Sequence, residues 1–198
     1  KIVYDAGQAI LDIYETSFEV EIKSDNSPLT QADKNSHLVI ESGLKSLFPN
    51  IPILSEEGRD IPYSERKKWD IFWLVDPLDG TKEFVKRNGE FTVNIALIEE
   101  FSPLLGVVYI PAQNTTYVGF PAGSYRIQDD LPPENISCRT PPEAGLTALV
   151  SRSHRTKEID HYLCDFNITN EISACSSLKF CRVAEGVADI YPRLGRTM

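Results

Sequence analysis

Trp73-Leu74-Val75-Asp76-Pro77-Leu78-Asp79-Gly80-Thr81-Lys82-Glu83-Phe84 opens as an apolar run and then turns, through two carboxylates, a proline and a glycine, into a polar segment able to start a helix. The apolar half reads as a buried strand. Two aspartates at its end can aim at one point, Gly80 lets backbone approach a ligand, and the N–H groups that follow suit an anion. Carboxylate oxygens plus a free carbonyl are the donors that a hard cation such as Mg²⁺ takes, with water and a phosphate completing its shell. The same letters also spell an ordinary strand-to-helix turn in which Asp79 only caps a helix.

On the N-terminal side, Ile2, Ala6, Ala9, Ile10 and Ile13 recur at helical spacing, so residues 1–15 are predicted as an amphipathic helix. Residues 18–23 alternate like a short strand and 24–28 form a turn. A second helix follows, with Thr30 as N-cap, Asp33 three residues on, and a buried face of Ala32, Ser36, Val39, Ile40, Gly43, Leu44 and Leu47. Residues 51–55 are a short strand ending in Glu56-Glu57-Gly58, and 59–70 a charged loop or short helix. Past the opening stretch, 91–99, 104–110 and 115–120 are β-branched strands with short connections, which implies an antiparallel meander. The proline-rich interval 131–142 is the best candidate for a subdomain boundary. Beyond it strand and helix alternate: 146–151, 156–165, 171–175, 177–185 and 188–191, the signature of a second α/β layer set.

With 198 residues, 41% of them hydrophobic, the chain can bury a sizeable core. Its formal charge of −9 argues against a nucleic-acid backbone or an anionic membrane as the main partner. A phosphorylated substrate therefore needs positive charge concentrated locally. Cys138, Cys164, Cys175 and Cys181 contain no C-x-x-C pair and no histidine at zinc-ligand spacing, so a reducing cytosol is the simplest reading. No run reaches transmembrane length, and the first residues carry no signal-peptide pattern. The predicted location is cytoplasmic, with peripheral association with the inner membrane as a variant.

Three acidic groups stand apart from the solvated charge: Asp33, Glu56-Glu57, and Asp76 with Asp79. Each has a plain alternative. Asp33 serves equally as the N3 member of a capping box, and Glu56-Glu57 as exposed loop charge. Taken together, two acid-bearing strand ends and a glycine-backed turn read as one metal site. A D-x-D-G-T phosphatase with an aspartyl nucleophile is excluded, because the residue two before Asp79 is Pro77.

Leu54-Ser55-Glu56-Glu57, the opening stretch, and Gly89-Glu90-Phe91-Thr92-Val93-Asn94-Ile95-Ala96 together resemble the inositol monophosphatase superfamily of lithium-sensitive, Mg²⁺-dependent phosphatases. Ser24 to Pro28, Ser151-Arg152-Ser153-His154 and Ser176 to Cys181 extend the resemblance over essentially the whole chain. Lys82-Glu83, where inositol phosphatases tend to carry Thr-Asn, leans toward the bacterial 3′(2′),5′-bisphosphate nucleotidase branch. The resemblance implies an α/β (α+β) fold, the layered α/β/α/β/α sandwich of the inositol monophosphatase and fructose-1,6-bisphosphatase type. Residues 1–135 would form an α+β part with an antiparallel sheet and the metal site, and 140–198 an incomplete α/β part with the nucleotide contacts.

Residue by residue, the resemblance implies that Glu56, Asp76, the Leu78 carbonyl and Asp79 bind two or three Mg²⁺ ions, with inhibition by Li⁺. Thr81, held by Asp33, would orient and help deprotonate the attacking water. Glu56, Leu78, Asp79, Gly80, Thr81, His154, Ser176, Lys179 and Arg193 would contact a small phosphorylated nucleotide, with Gly80 and Thr81 cradling the scissile phosphate at the next helix's N-terminus. Without the resemblance, His154 reads as a surface loop residue and Lys179 as a solvated helix position.

The implied reaction is hydrolysis of adenosine 3′,5′-bisphosphate to AMP, in sulfur assimilation. An inositol or sugar monophosphatase is the alternative of the same class, and a non-catalytic metal- or nucleotide-binding remnant that of a different class. The family's Trp-Asp motif, whose aspartate completes the metal site, is not found after Tyr191-Pro192-Arg193; Trp69-Asp70 lies upstream. The chain opens on Lys1 and stops at Met198, and both ends read as interior cuts. The expectation is a piece with weakened metal binding and little or no activity.

Overall fold

A computed structural model describes residues 1–17, 20–22, 28–129, 131–152 and 155–194. The predicted turn at 24–28 lies mostly outside them, as does His154. Helix α1 (Ile2–Tyr14) turns Val3, Ala6, Gly7 and Ile10 inward. Its backbone comes so close to the sheet that a Cβ on Gly7 would sit 2.3 Å from the Tyr109 ring. Strands β1 (Val20–Ile22) and β2 (Pro28–Thr30) pair antiparallel.

Helix α2 (Gln31–Leu47) starts at Thr30 with a complete capping box to Asp33. It buries Ala32, Asp33, Ser36, Ile40 and Leu44. Leu47, predicted in that face, is 63% exposed, and the next residue, Phe48, packs on Trp73 instead, ring centroids 5.4 Å apart.

Next come β3 (Ile53–Ser55), the short helix α3 (Tyr63–Arg66), β4 (Ile71–Asp79), the five-residue helix α4 (Thr81–Val85), β5 (Thr92–Glu99), β6 (Ser102–Ile110), β7 (Thr115–Phe120), β8 (Gly123–Gln128) and β9 (Glu134–Asn135). The strands form one seven-stranded sheet in the order β3-β4-β5-β6-β7-β8-β9. The meander from β4 onward is antiparallel as expected, but β3 lies parallel to β4, with Ser55 opposite Val75. A parallel neighbour needs a crossover, and residues 56–70 supply it. β8 and β9 are additions that the short, mixed-polarity runs at 123–128 and 134–135 did not signal.

The second part comprises β10 (Leu146–Ser151), α5 (Lys157–Leu163), β11 (Ile168–Ala174) and α6 (Leu178–Ala184). β10 and β11 pair in parallel, and the predicted strand at 188–191 is reduced to a single bridge, Ala148 to Ile190.

Among the described residues, three apolar clusters stack these elements. α1 and α2 cover one face of the large sheet through Ile10, Ile40, Trp73, Val75, Val93 and Ile95. Tyr117 and Ile110 meet Leu178, Cys181 and Leu149 on the other face, and Ile159 and Leu163 close over Ala148 and Val150. The order is helices, sheet, helix, small sheet, helix, the α/β/α/β/α sandwich. Phe84 and Phe91, both fully buried, meet edge-on with centroids 5.3 Å apart and Tyr14 against each. Burying each ring is worth about 2–3 kcal/mol. This anchor pins α4, and with it the turn that precedes α4.

Candidate active site

The turn at the end of β4 is a bulge. Asp76 pairs with Asn94 and Asp79 with Thr92, so three steps along β4 answer two along β5. In a regular strand, residues three apart point to opposite faces. The extra residue puts both aspartates on the face shared by Asn94 and Thr92. Pro77 sits inside the bulge, where a missing N–H costs no ladder bond. Its carbonyl accepts from Ser36 Oγ at 2.7 Å, which ties α2 to the turn.

The parallel β3–β4 pairing continues past Ser55, where Glu56 N–H donates to the Val75 carbonyl at 3.1 Å. Glu56 therefore ends its strand beside Asp76. The crowding shows in the acids. Burial first, then Asp79 and Glu56, push the Asp76 carboxyl up to about 8. Asp76 Oδ1 is buried without a hydrogen-bond partner. Asp79 is also raised by burial, though the Ser177 N–H, Lys179 and Asn94 pull it back.

Asp33, at the start of α2, is buried and its carboxyl is raised by that burial. Its Oδ2 accepts from the Thr30 N–H and hydroxyl, and its Oδ1 from Thr81 Oγ1 at 3.1 Å. The carboxylate that closes the cap of α2 is thus also the acceptor of the Thr81 hydroxyl. The Leu78 carbonyl lies 3.4 Å from Thr81 Oγ1.

Gly80 has φ +95°, and a Cβ there would lie 2.1 Å from Ser176 Oγ. The space beside the glycine is thus taken by Ser176. That residue has a left-handed φ of +53°, and its hydroxyl proton is shared between the carbonyls of Asp79 at 3.1 Å and Glu90 at 3.0 Å. Lys179 Nζ donates to the Ser176 carbonyl at 2.7 Å and lies 5.4 Å from the Tyr191 ring centroid. Lys179 is 6% exposed rather than solvated, and burial lowers its pKa against the pull of Asp79. Arg193 is partly buried within electrostatic range of it.

The fold thus assembles Asp33, Glu56, Asp76, Leu78, Asp79, Gly80, Thr81, Ser176, Lys179 and Arg193 around one turn, with His154 outside the described residues. Sequence reasoning gave Ser36 only a place on the buried face of α2, and assigned no role at the site to Ser36, Thr92, Asn94 and Ser177. The signal for two of them was present: polar Thr92 and Asn94 alternate with apolar Val93 and Ile95.

Among the described residues, no three His, Cys, Asp or Glu side chains form a ready-made metal cage. The donors are oxygen only, and one of them, Asp76 Oδ1, is buried and unpartnered. That suits Mg²⁺, which is held by one or two carboxylates, water and phosphate rather than by an all-protein cage. A separate cavity of about 550 Å³ opens beside β3, lined by His37, Glu41, Lys45, Arg59, Glu65 and Trp69 among others. Its charges pair off, Lys45 with Glu41 at 2.9 Å and Arg59 with Glu65 at 3.6 Å. None of the site carboxylates lines it. Among the described residues, no helix is long and apolar enough to cross a membrane.

Comparison with known proteins adds three findings. The profile of the inositol monophosphatase family matches residues 1–198. The chain is 45% identical over 201 residues to the 3′(2′),5′-bisphosphate nucleotidase CysQ of Salmonella typhimurium and 44% identical over 201 residues to that of Escherichia coli K12. Each match covers 100% of this chain and 79% of the relative. The crystal structure of CysQ from Bacteroides thetaiotaomicron, described as a bacterial member of the inositol monophosphatase family, superposes with a TM-score of 0.84 at 40% identity. It is covered to 78%, and this chain to 100%.

Proposed function

Because the chain belongs to the inositol monophosphatase family, we propose that it is a Mg²⁺-dependent phosphomonoesterase that removes the 3′-phosphate from adenosine 3′,5′-bisphosphate and leaves AMP. The observation that carries this reading is the buried Asp76 carboxylate, whose Oδ1 has no partner while Asp79 and Glu56 bear on it. Such an arrangement is costly unless a cation completes it. Glu56, Asp76, Asp79 and the Leu78 carbonyl would hold the ion. When bound, it neutralises phosphoryl oxygens and makes hydroxide available near neutral pH.

The protein's own groups do the rest. Thr81 donates to Asp33 and so has its oxygen lone pairs free to accept from a water. Asp33, raised by burial, is a better proton acceptor than a surface aspartate. Lys179 and Arg193 bring positive charge for the phosphate that the cation does not hold, with Ser176 and His154 completing the nucleotide contacts. Lys82-Glu83 and the nucleotidase names of the relatives favour the nucleotide over an inositol phosphate.

Phosphate release from adenosine 3′,5′-bisphosphate and from inositol 1-phosphate, each with Mg²⁺, with chelator and with added Li⁺, tests the proposal. The expected result is AMP and phosphate from the nucleotide, lost on chelation and inhibited by Li⁺. Preference for inositol phosphate would move the chain to the sugar phosphatases. Nucleotide and Mg²⁺ binding by calorimetry without turnover would make it a non-catalytic binder.

A further inference from the structure

Asp79 is gripped from across the molecule. Ser177, immediately before α6, donates its backbone N–H to Asp79 Oδ2 at 2.6 Å, over 98 positions of sequence. The Ser177 hydroxyl donates to Asn94 Oδ1 at 2.8 Å and, its one proton being used there, accepts from Thr92 Oγ1 at 2.8 Å. With its oxygen occupied by Ser177, the Asn94 amide has only N–H groups left to offer Asp79, whose pKa it helps to hold down. The direction of both hydroxyl bonds is thereby set: Thr92 to Ser177 and Ser177 to Asn94. Thr92 is fully buried, so solvent does not compete at the head of the chain.

We propose that Asn94 and Ser177 are positioning residues that fix the orientation of the Asp79 carboxylate for the cation. This inference rests on the metal-dependent reading above. The Ser177 N–H holds Asp79 from the side of α6 while Asn94, on β5, fixes Ser177, leaving the other lone pairs of Asp79 for the ion. Partners of this kind, one shell out from a metal, typically change its affinity 10- to 100-fold when removed. The arrangement also makes the start of α6, which carries Lys179, one mechanical unit with the cation site.

The test is Mn²⁺ and Mg²⁺ binding by calorimetry, with Mn²⁺ paramagnetic resonance as a second readout. It uses the unaltered chain, Ser177→Ala, Ser177→Thr, Asn94→Leu and the Ser177→Ala/Asn94→Leu pair. Ser177→Ala keeps the N–H donor but breaks the hydroxyl relay, so affinity for Mn²⁺ should fall about tenfold. Ser177→Thr should restore it. The double variant should lose little more than either single one, because both cut the same relay. Metal-free melting temperatures should stay close together. If Asn94→Leu fails to fold, Ser177→Ala and its threonine rescue decide alone. Unchanged Mn²⁺ affinity in Ser177→Ala, or strictly additive losses in the double variant, would overturn the inference. The functional reading fails separately, if the unaltered chain binds Mn²⁺ and releases no phosphate. No binding by the unaltered chain would overturn both.

Discussion

The Thr81 hydroxyl donates to Asp33 Oδ1 at 3.1 Å across 48 positions of sequence, while the other oxygen of the same carboxylate closes the capping box of α2. One side chain therefore starts a helix and orients a hydroxyl at the candidate active site. The two duties are separable by mutation. Thr30→Ala should cost about 1 kcal/mol of stability, the usual value of an N-cap. Thr81→Val should leave stability near the wild type and cut turnover by a factor on the order of 100. Asp33→Asn should lose both. Thermal unfolding beside phosphate-release kinetics checks all three, and a Thr81→Val protein with full turnover would remove Thr81 from the chemistry.

Gly80 and Ser176 occupy one another's space, with an added Cβ falling 2.1 Å from Ser176 Oγ at a backbone φ of +95°. Gly80→Ala should destabilise by about 1–3 kcal/mol, through strain at φ and the clash together. Pairing it with Ser176→Gly should recover part of the loss, a coupling of at least about 0.5 kcal/mol in a double-mutant cycle. The φ strain should persist in the pair. Fully additive losses in denaturant unfolding would mean that the two residues do not press on each other.

How much of this was readable beforehand depends on the range of the interaction. The α2 cap was legible because Thr30 and Asp33 lie within one turn of each other. The strands of the meander were legible because Val93, Ile95 and their kind alternate at period two. The acidic groups were legible as one candidate metal site from their residue types, while the α/β/α/β/α layering and the role of each site residue came with the family resemblance. Pairing was not legible. Nothing local says that β3 runs parallel to β4, which sets Glu56 beside Asp76. Nor does it reveal the extra residue between Asp76 and Asp79, which depends on register with Thr92 and Asn94. The hold of Ser177 on Asp79 is farther still from any local signal, and no periodicity reports a bond across 98 positions.

The four thiols divide by environment. Cys138 and Cys164 are exposed and Cys175 and Cys181 buried, all of them free. Burial raises the Cys175 thiol to about 12, assisted by Glu83 and Glu90, and burial with Glu185 does the same for Cys181. Thiolate is the reactive form, so iodoacetamide at mild alkaline pH should label Cys138 and Cys164 and spare the other two until the chain is unfolded. Peptide mass spectrometry reads the sites directly. Early labelling of Cys175 would show that the segment leading into Ser176 opens readily.

Asp76 allows the sign of a pH effect to be worked out for the metal-free protein. Its carboxyl is raised from an ordinary 3.8 to about 8 by burial and by Asp79 and Glu56. Between those two values the unfolded chain has released the proton and the folded chain has kept it. Fewer protons bound in the unfolded state means that stability falls as pH rises through this window, and levels off above it. Asp76→Asn removes the titration while keeping the shape. The metal-free variant should therefore melt higher than the wild type at pH 8, by several degrees for a chain of this size, and equal it near pH 4. Mg²⁺ should raise the wild-type melting temperature at pH 8 and leave the variant almost unmoved, and the variant should be inactive. A calorimetric series from pH 4 to 8, with and without Mg²⁺, measures each part. A variant that melts below the wild type at pH 8 without metal would mean that Asp76 is held by partners in the protein rather than kept for a cation.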